Sequence, residues 1–121
     1  MSTPVFPKRG EVWYVSLPNK PGDPHQPRPA IVVSPNGRNQ GCNDVIVVPT
    51  TSANIQPHPD LHVSIPQGQG GLPKDSIARC EQIATLEKRL LTQGPLGSTV
   101  HTSYMWRIVR AIGRAVGDTA V

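Results

Sequence analysis

Residues 28–51 read Arg-Pro-Ala-Ile-Val-Val-Ser-Pro, a polar stretch from Asn36 to Asp44, and then Val-Ile-Val-Val-Pro-Thr-Thr. Ala30–Ser34 and Val45–Val48 are short, almost wholly apolar and rich in β-branched residues, and each stops at a proline. Such runs predict two buried strands. Pro35-Asn36-Gly37 predicts a turn after the first. Arg28 stands between two prolines immediately before the first strand, and Thr51 just past the end of the second. On the N-terminal side, Asn19–Pro29 carries Pro21, Gly22, Pro24, Pro27 and Pro29, which predicts an exposed loop stiffened by its prolines. Before it, Glu11–Leu17 predicts a strand with Trp13, Val15 and Leu17 on the core face, preceded by a loose leader, residues 1–8.

Beyond Thr51 the pattern repeats. A loop over Asn54–Asp60 leads to the alternating strand Leu61–Ile65, and Gln67–Gly71 forms a flexible turn. Ser76–Cys80 and Gln82–Thr85 read as two nearly continuous strand segments, and Lys88–Leu91 as a last short strand or 3₁₀ turn before Gly94-Pro95. The period then changes. Met105, Ile108, Ile112 and Val116 recur on one helical face, and Arg107, Arg110 and Arg114 on another. Ser98 or Thr99 can cap this helix, which spans about 99–116, and Gly117 sits where a terminating glycine belongs. Six or seven short strands followed by one amphipathic helix imply a mainly β fold, a small, strongly twisted barrel with the helix packed on it.

Composition agrees. With Pro 14 and Gly 11 in 121 residues, an all-helical bundle is excluded, and the length suits one domain, 1–121. No apolar stretch approaches the roughly 18 residues of a membrane span, and Met1–Gly10 has no secretory pattern, so a cytosolic protein is expected. Lys+Arg 12 against Asp+Glu 8 gives a net charge of +4, which favours phosphate backbones and acidic chains as partners. Cys42 and Cys80 form no C-x-x-C pair, so neither a zinc site nor a disulfide framework is indicated. Gly68-x-Gly70-Gly71-x-x-Lys74 lacks the ending of a phosphate loop and reads as a hairpin loop. His58, Asp60 and His62 alternate and would share one face of a strand, but Pro57 and Pro59 interrupt it, and no metal is expected. Arg28, a rigid and permanently charged fork at a strand edge, suits phosphate.

Four segments together, Arg9-Gly-Glu-Val-Trp-Tyr-Val15, Arg28-Pro-Ala-Ile-Val-Val-Ser-Pro35, Val45-Ile-Val-Val-Pro-Thr-Thr51 and Asp75-Ser-Ile-Ala-Arg-Cys-Glu-Gln-Ile83, resemble the MazF/PemK family of toxin endoribonucleases. The resemblance runs in order from about Lys8 to Leu91, and a C-terminal helix also belongs to the family pattern. It implies an SH3-like barrel, a homodimer, and cleavage of single-stranded RNA at short sequences without a metal or other cofactor. It also implies an antitoxin whose acidic, disordered tail covers the active groove in the bacterial cytoplasm. The family's catalytic Arg corresponds to Arg28 and its Thr at the scissile phosphate to Thr51. The Arg-Cys-Asp run given acid–base roles in the PemK branch corresponds to Arg79-Cys80-Glu81, with a carboxylate one methylene longer. Asp23 and His25 are the candidates for the family's loop Glu and for the His of the PemK branch, and Ser52 and Gln82 complete the RNA-binding set. Ala84 replaces the family's basic residue after Gln-Ile. A second reading is a non-enzymatic barrel that binds a partner, as gyrase-poisoning toxins of the same superfamily do.

Overall fold

The structure, a computed structural model, describes residues 5–16 and 27–118. These form β1 (Val12–Val15), β2 (Arg28–Val32), α1 (Asn36–Gly41), β3 (Asp44–Thr51), β4 (His62–Ile65), β5 (Ser76–Arg79), β6 (Ala84–Glu87), β7 (Leu91–Gln93) and α2 (Thr102–Ala115). All strand pairings are antiparallel, in the order β4-β5-β3-β2-β1-β7 with β6 also on β3. One edge of β3 pairs with β2, from Ala30↔Pro49 to Val32↔Val47. Its other edge serves two strands in turn: β6 from Asp44↔Glu87 to Val47↔Ala84, then β5 at Thr50↔Ala78 and Thr51↔Ile77.

The sheet curls until its ends β6 and β7 meet at the 3₁₀ turn Lys88–Leu90. That turn is tied in by Ser16 N–H to the Leu90 carbonyl and Lys88 N–H to the Asn43 carbonyl, each 2.9 Å. No ladder joins β6 to β7, so the barrel stays open along that seam. Inside it pack Val15, Ala30, Val32, Val45, Val47, Leu86 and Leu91. The opposite faces of β1, β2 and β3 carry Val12, Ile31 and Val48 into a second core. The β4–β5 hairpin (Val63, Ile65, Ala78) and α2 (Met105, Ile108, Ala111) complete that core. Burial of both faces is why β2 and β3 read as unbroken apolar runs rather than alternating ones.

Several boundaries differ from the sequence expectation for identifiable reasons. β3 continues through Pro49 to Thr51, because Pro49 lies in the gap between the β6 and β5 ladders, where that edge asks no N–H of it. The turn expected at Pro35 opens the six-residue α1 instead. Buried Asn39 secures it, donating from Nδ2 to the Ser34 carbonyl (2.9 Å) and accepting from the Ser34 hydroxyl. β5 ends at Arg79 and a 3₁₀ turn, Cys80–Gln82, follows. β5 and β6 occupy opposite ends of β3, so the chain must turn between them, and the next strand starts at Ala84. Lys88–Leu90 takes the 3₁₀ form, and the last strand begins one residue later. Val12, not only Trp13 and Val15, is core, since each face of β1 meets a different core; Leu17 lies outside the described residues.

α2 starts later than expected. Val100 N–H is bonded to the Gly10 carbonyl (2.8 Å), which holds the preceding residues extended against the N-terminal segment. His101, not Ser98 or Thr99, is the cap, its Nδ1 accepting the Ser103 N–H at 3.1 Å. Ala111 joins Met105 and Ile108 on the buried face, whereas Val116 lies past the last helical residue and is 76% exposed. No helix among the described residues is long and apolar enough to cross a membrane.

The Gly68–Gly71 turn is packed, not loose. Gly71 has φ +83°, and a Cβ there would lie 2.4 Å from the Leu96 backbone. Gly71→Ala should therefore lose roughly 2 kcal/mol or more of stability. Urea unfolding measures this, and an unchanged midpoint would mean that the two segments do not meet.

Candidate active site

Arg28 opens β2, and the β2–β3 register, continued two residues beyond Ala30↔Pro49, sets Arg28 opposite Thr51. A side chain maintains that register past the ladder: the buried Thr50 hydroxyl donates to the Pro29 carbonyl at 2.8 Å. Sequence reasoning missed Thr50, whose signal was its place beside Thr51 at a strand end. The Thr51 hydroxyl accepts the Ala53 N–H at 3.1 Å, which leaves its own proton free to donate. Arg28 is exposed and has no hydrogen-bond or ion-pair partner among the described residues.

Arg28, Thr51 and Ser52 line one open cleft of about 380 Å³. Two hollows share its walls. One, of about 180 Å³, meets it at Pro29, Thr50 and Ser52 and adds Tyr14 and Lys74. The other, of about 520 Å³, meets it at Thr51–Ala53 and extends over the β4–β5 hairpin. Three of the expected site residues thus converge on a concave surface carrying an unneutralised guanidinium and a hydroxyl donor, a combination suited to a phosphodiester.

Arg79, Glu81 and Gln82 do not line this cleft. Arg79 faces His62 across the β4–β5 ladder. His58 N–H donates to His62 Nδ1 at 2.9 Å, so the His62 proton sits on Nε2, which donates to the Glu81 carboxylate at 3.1 Å. Arg79 Nε lies 3.6 Å from the same carboxylate. Burial works to raise the Glu81 pKa, but the His62 hydrogen bond, a backbone hydrogen bond and, to a smaller degree, the charges beside it at His62 and Arg79 outweigh it, and the carboxyl sits below its usual 4.5. Glu81 is an ionised, already engaged group. Burial, with the Glu81 charge adding to it and Arg114 opposing, pushes the Cys80 thiol up to about 12, so it is protonated at neutral pH. Gln82 is exposed at the end of its 3₁₀ turn. Asp23 and His25 fall outside the described residues.

His58 and Asp60 lie in a loop and only His62 is in a strand, so the three do not share a strand face. The Nδ1 atoms of His58 and His62 each accept a backbone N–H. Ala84, at the position of the family's basic residue, packs against the barrel interior.

The family model described as "PemK-like, MazF-like toxin of type II toxin-antitoxin system" matches residues 8–116. The chain belongs to this family. It is 33% identical over 96 residues to endoribonuclease MazF9 of Mycobacterium tuberculosis, with 74% of this chain and 80% of that protein covered. A solved mycobacterial endoribonuclease in complex with its cognate antitoxin superposes with a TM-score of 0.72 at 27% identity, covering 92% of this chain and 95% of that one. MazF of Deinococcus radiodurans shares the fold, with a TM-score of 0.74 at 22% identity over 94% and 99% of the two chains. The match to this toxin family reaches through α2, beyond the Leu91 limit of the sequence resemblance.

The Glu81 cluster should show in the acid stability of the toxin. A carboxyl whose folded pKa lies below its unfolded value stabilises the fold above about pH 4.5, and that contribution is lost as pH falls through the folded value. Urea midpoints between pH 7 and 3 should fall more steeply for wild type than for Glu81→Gln. Parallel curves would contradict the His62–Glu81–Arg79 arrangement.

Proposed function

We propose that this toxin is an endoribonuclease that cuts single-stranded RNA in the Arg28–Thr51 cleft by transesterification. The RNA 2′-OH attacks the adjacent phosphorus, the bond to the 5′ oxygen of the next nucleotide breaks, and the products carry a 2′,3′-cyclic phosphate and a 5′-OH. Because the nucleophile is part of the substrate and already beside its target, the reaction asks mainly for charge stabilisation and proton transfer. The observation carrying the reading is the Arg28 guanidinium, without a partner among the described residues, set opposite a Thr51 hydroxyl whose proton is uncommitted among them. Arg28 stabilises the negative charge that builds on the phosphorane oxygens, and Thr51 donates a further hydrogen bond. Arg28 is one candidate acid toward the leaving oxygen, and His25, close to it in sequence, is a second candidate for the proton transfers. The similarity to an endoribonuclease over most of both chains supports the same reading.

The partners follow from the same site. The antitoxin presents an acidic, disordered segment to the cleft, where its carboxylates take the place of RNA phosphates on Arg28. The toxin acts in the bacterial cytoplasm, where it cuts messenger RNA and arrests growth. It works as a two-fold dimer, supported by the apolar side chains that α2 and its end leave outside the core: Trp106 is 59% exposed, Val109 46% and Val116 76%. Light scattering at micromolar protein should give twice the 13.0 kDa chain mass, and a value near one chain would exclude the dimer.

Purified toxin should cut a long unstructured RNA in excess EDTA and leave cyclic-phosphate ends; cleavage strictly dependent on Mg²⁺ would remove this mechanism. Arg28→Ala should lose about 10²–10³ in rate, as when a charge-stabilising donor is lost. Arg28→Lys should also be impaired, since a point charge does not reproduce the planar fork. Thr51→Val should lose rate with its fold intact. In bacteria, wild type should arrest growth and each variant relieve that arrest. Full cleavage by folded Arg28→Ala protein would take Arg28 out of the mechanism and bring forward Arg79 and Glu81.

A further inference from the structure

A separate cavity of about 360 Å³ lies between α2 and the loop that enters β4. Arg107, Arg110 and Arg114 reach it from α2, His58 and His62 from the other side, and among the described residues no acidic side chain lines it. Offsets of three and seven gather the three arginines on one flank of the helix, where like charges repel one another. The buried face of the helix does not use Arg107 or Arg110, since Met105, Ile108 and Ala111 supply it. The cavity is nonetheless ordered. The Arg110 guanidinium stacks 4.4 Å from the centre of the Trp106 ring, and Arg114 Nε donates to the Asp60 carbonyl at 2.8 Å. Arg107 lies 5.9 Å from the Tyr104 ring centre, and neither Arg107 nor Arg110 has an ion-pair partner among the described residues.

One hollow, over the β4–β5 hairpin, shares walls with both this cavity and the Arg28 cleft. Ser64 lines both the cavity and that hollow, and Thr51, Ser52 and Ala53 line both the hollow and the cleft. We infer that the α2 cavity is an exosite for the phosphodiester backbone of the substrate RNA, several nucleotides away from the bond that is cut. The inference rests on the RNA-cleavage reading. A nucleic acid fits better than an acidic peptide because the cleft that takes the RNA and this cavity adjoin the same hollow. In addition, the exposed His58 ring offers a face on which a base can stack. Phosphate contacts hold a strand in place without reading its sequence, so the exosite adds affinity for long RNA and leaves the cleavage sequence unchanged.

The test compares Arg107→Ala/Arg110→Ala with wild type on two RNAs that share one cleavable sequence. One is an oligonucleotide long enough only for the Arg28 cleft, and the other carries long unpaired flanks. Arg114 is left in place because it ties α2 to the Asp60 loop. On the short RNA both constants should be unchanged. On the long RNA KM should rise about tenfold or more at constant kcat, and the slope of log affinity against log salt should flatten by about 1.4 for two lost contacts. Arg107→Lys/Arg110→Lys should recover most of the affinity, and circular dichroism should show the fold intact in each variant. An unchanged KM on the long RNA, or equal losses on both RNAs, would overturn the exosite. So would unchanged RNA binding combined with lost binding of an acidic peptide that wild type retains, which would make the cavity a protein-docking site. Affinity for the long RNA blocked by a 2′-deoxy nucleotide at the cleavage position is measured in parallel. If wild type cuts neither RNA, the cleavage reading fails, and this binding measurement still decides the exosite.

Discussion

One edge of β3 must satisfy two strands, and the rest of the molecule follows from that demand. Eight residues pair with β6 along the first half and with β5 at the end, while the opposite edge stays on β2. The ladder to β6 ends at Val47 and the ladder to β5 begins at Thr50, which leaves Val48 and Pro49 between two partners on that edge. The sheet therefore divides at Val48-Pro49: one arm curls into the open barrel and the other projects as the β4–β5 hairpin. The division point is also where chemistry becomes possible. Beyond it the alternate side chains of β3 leave the packed interior, so that Thr51 reaches the surface while Val47, four residues earlier, is wholly buried.

The parts of this design that depend on burial were legible in the sequence. Apolar runs at Ala30–Val33 and Val45–Val48 could only be strands buried on both faces, and the period of Met105 and Ile108 could only be a helix lying on them. The parts that depend on register were not. Pro49 looks like a strand terminator until two ladders are seen to leave a gap around it. His62 belonged to an alternating His58, Asp60, His62 set from which no metal was expected, and its actual role was hidden. Its partner Glu81 is 19 residues away, and the contact exists because His62 and Arg79 face each other in the β4–β5 ladder. Arg28 and Thr51 were found through resemblance, whereas Thr50, which ties their strands together, makes a bond visible only in three dimensions. Local polar contacts such as the Ser34–Asn39 pair were equally hidden, because a Pro-Asn-Gly turn and the start of a short helix are written with the same residues.

Rigidity around Arg28 has a simple origin. Pro27 and Pro29 fix one backbone angle on each side of it, and the Thr50 hydroxyl holds the Pro29 carbonyl. The residue after Pro29, Ala30, is already completely buried in the barrel. A guanidinium carried on such a backbone loses less freedom when it meets a phosphate than one on a mobile loop, and preorganisation of this kind is what electrostatic catalysis requires.

The arginines divide along the same line. Arg38, Arg79 and Arg89 each have a carboxylate within 4 Å, at Asp44, Glu81 and Glu87, and Arg9 is committed to the Val33 carbonyl. Their charges are answered within the chain, and each braces a turn or a loop. Arg28, Arg107 and Arg110 have no such answer among the described residues, and they line the cleft and the α2 cavity, which adjoin one shared hollow. A net charge of +4 says only that some anion is attractive. Its distribution says more: the neutralised arginines lie where the fold needs bracing, and the unneutralised ones lie where a polyanion has room to lie. With an exosite at α2, the toxin's hold on a single strand extends beyond the cleft, with the chemistry confined to one end.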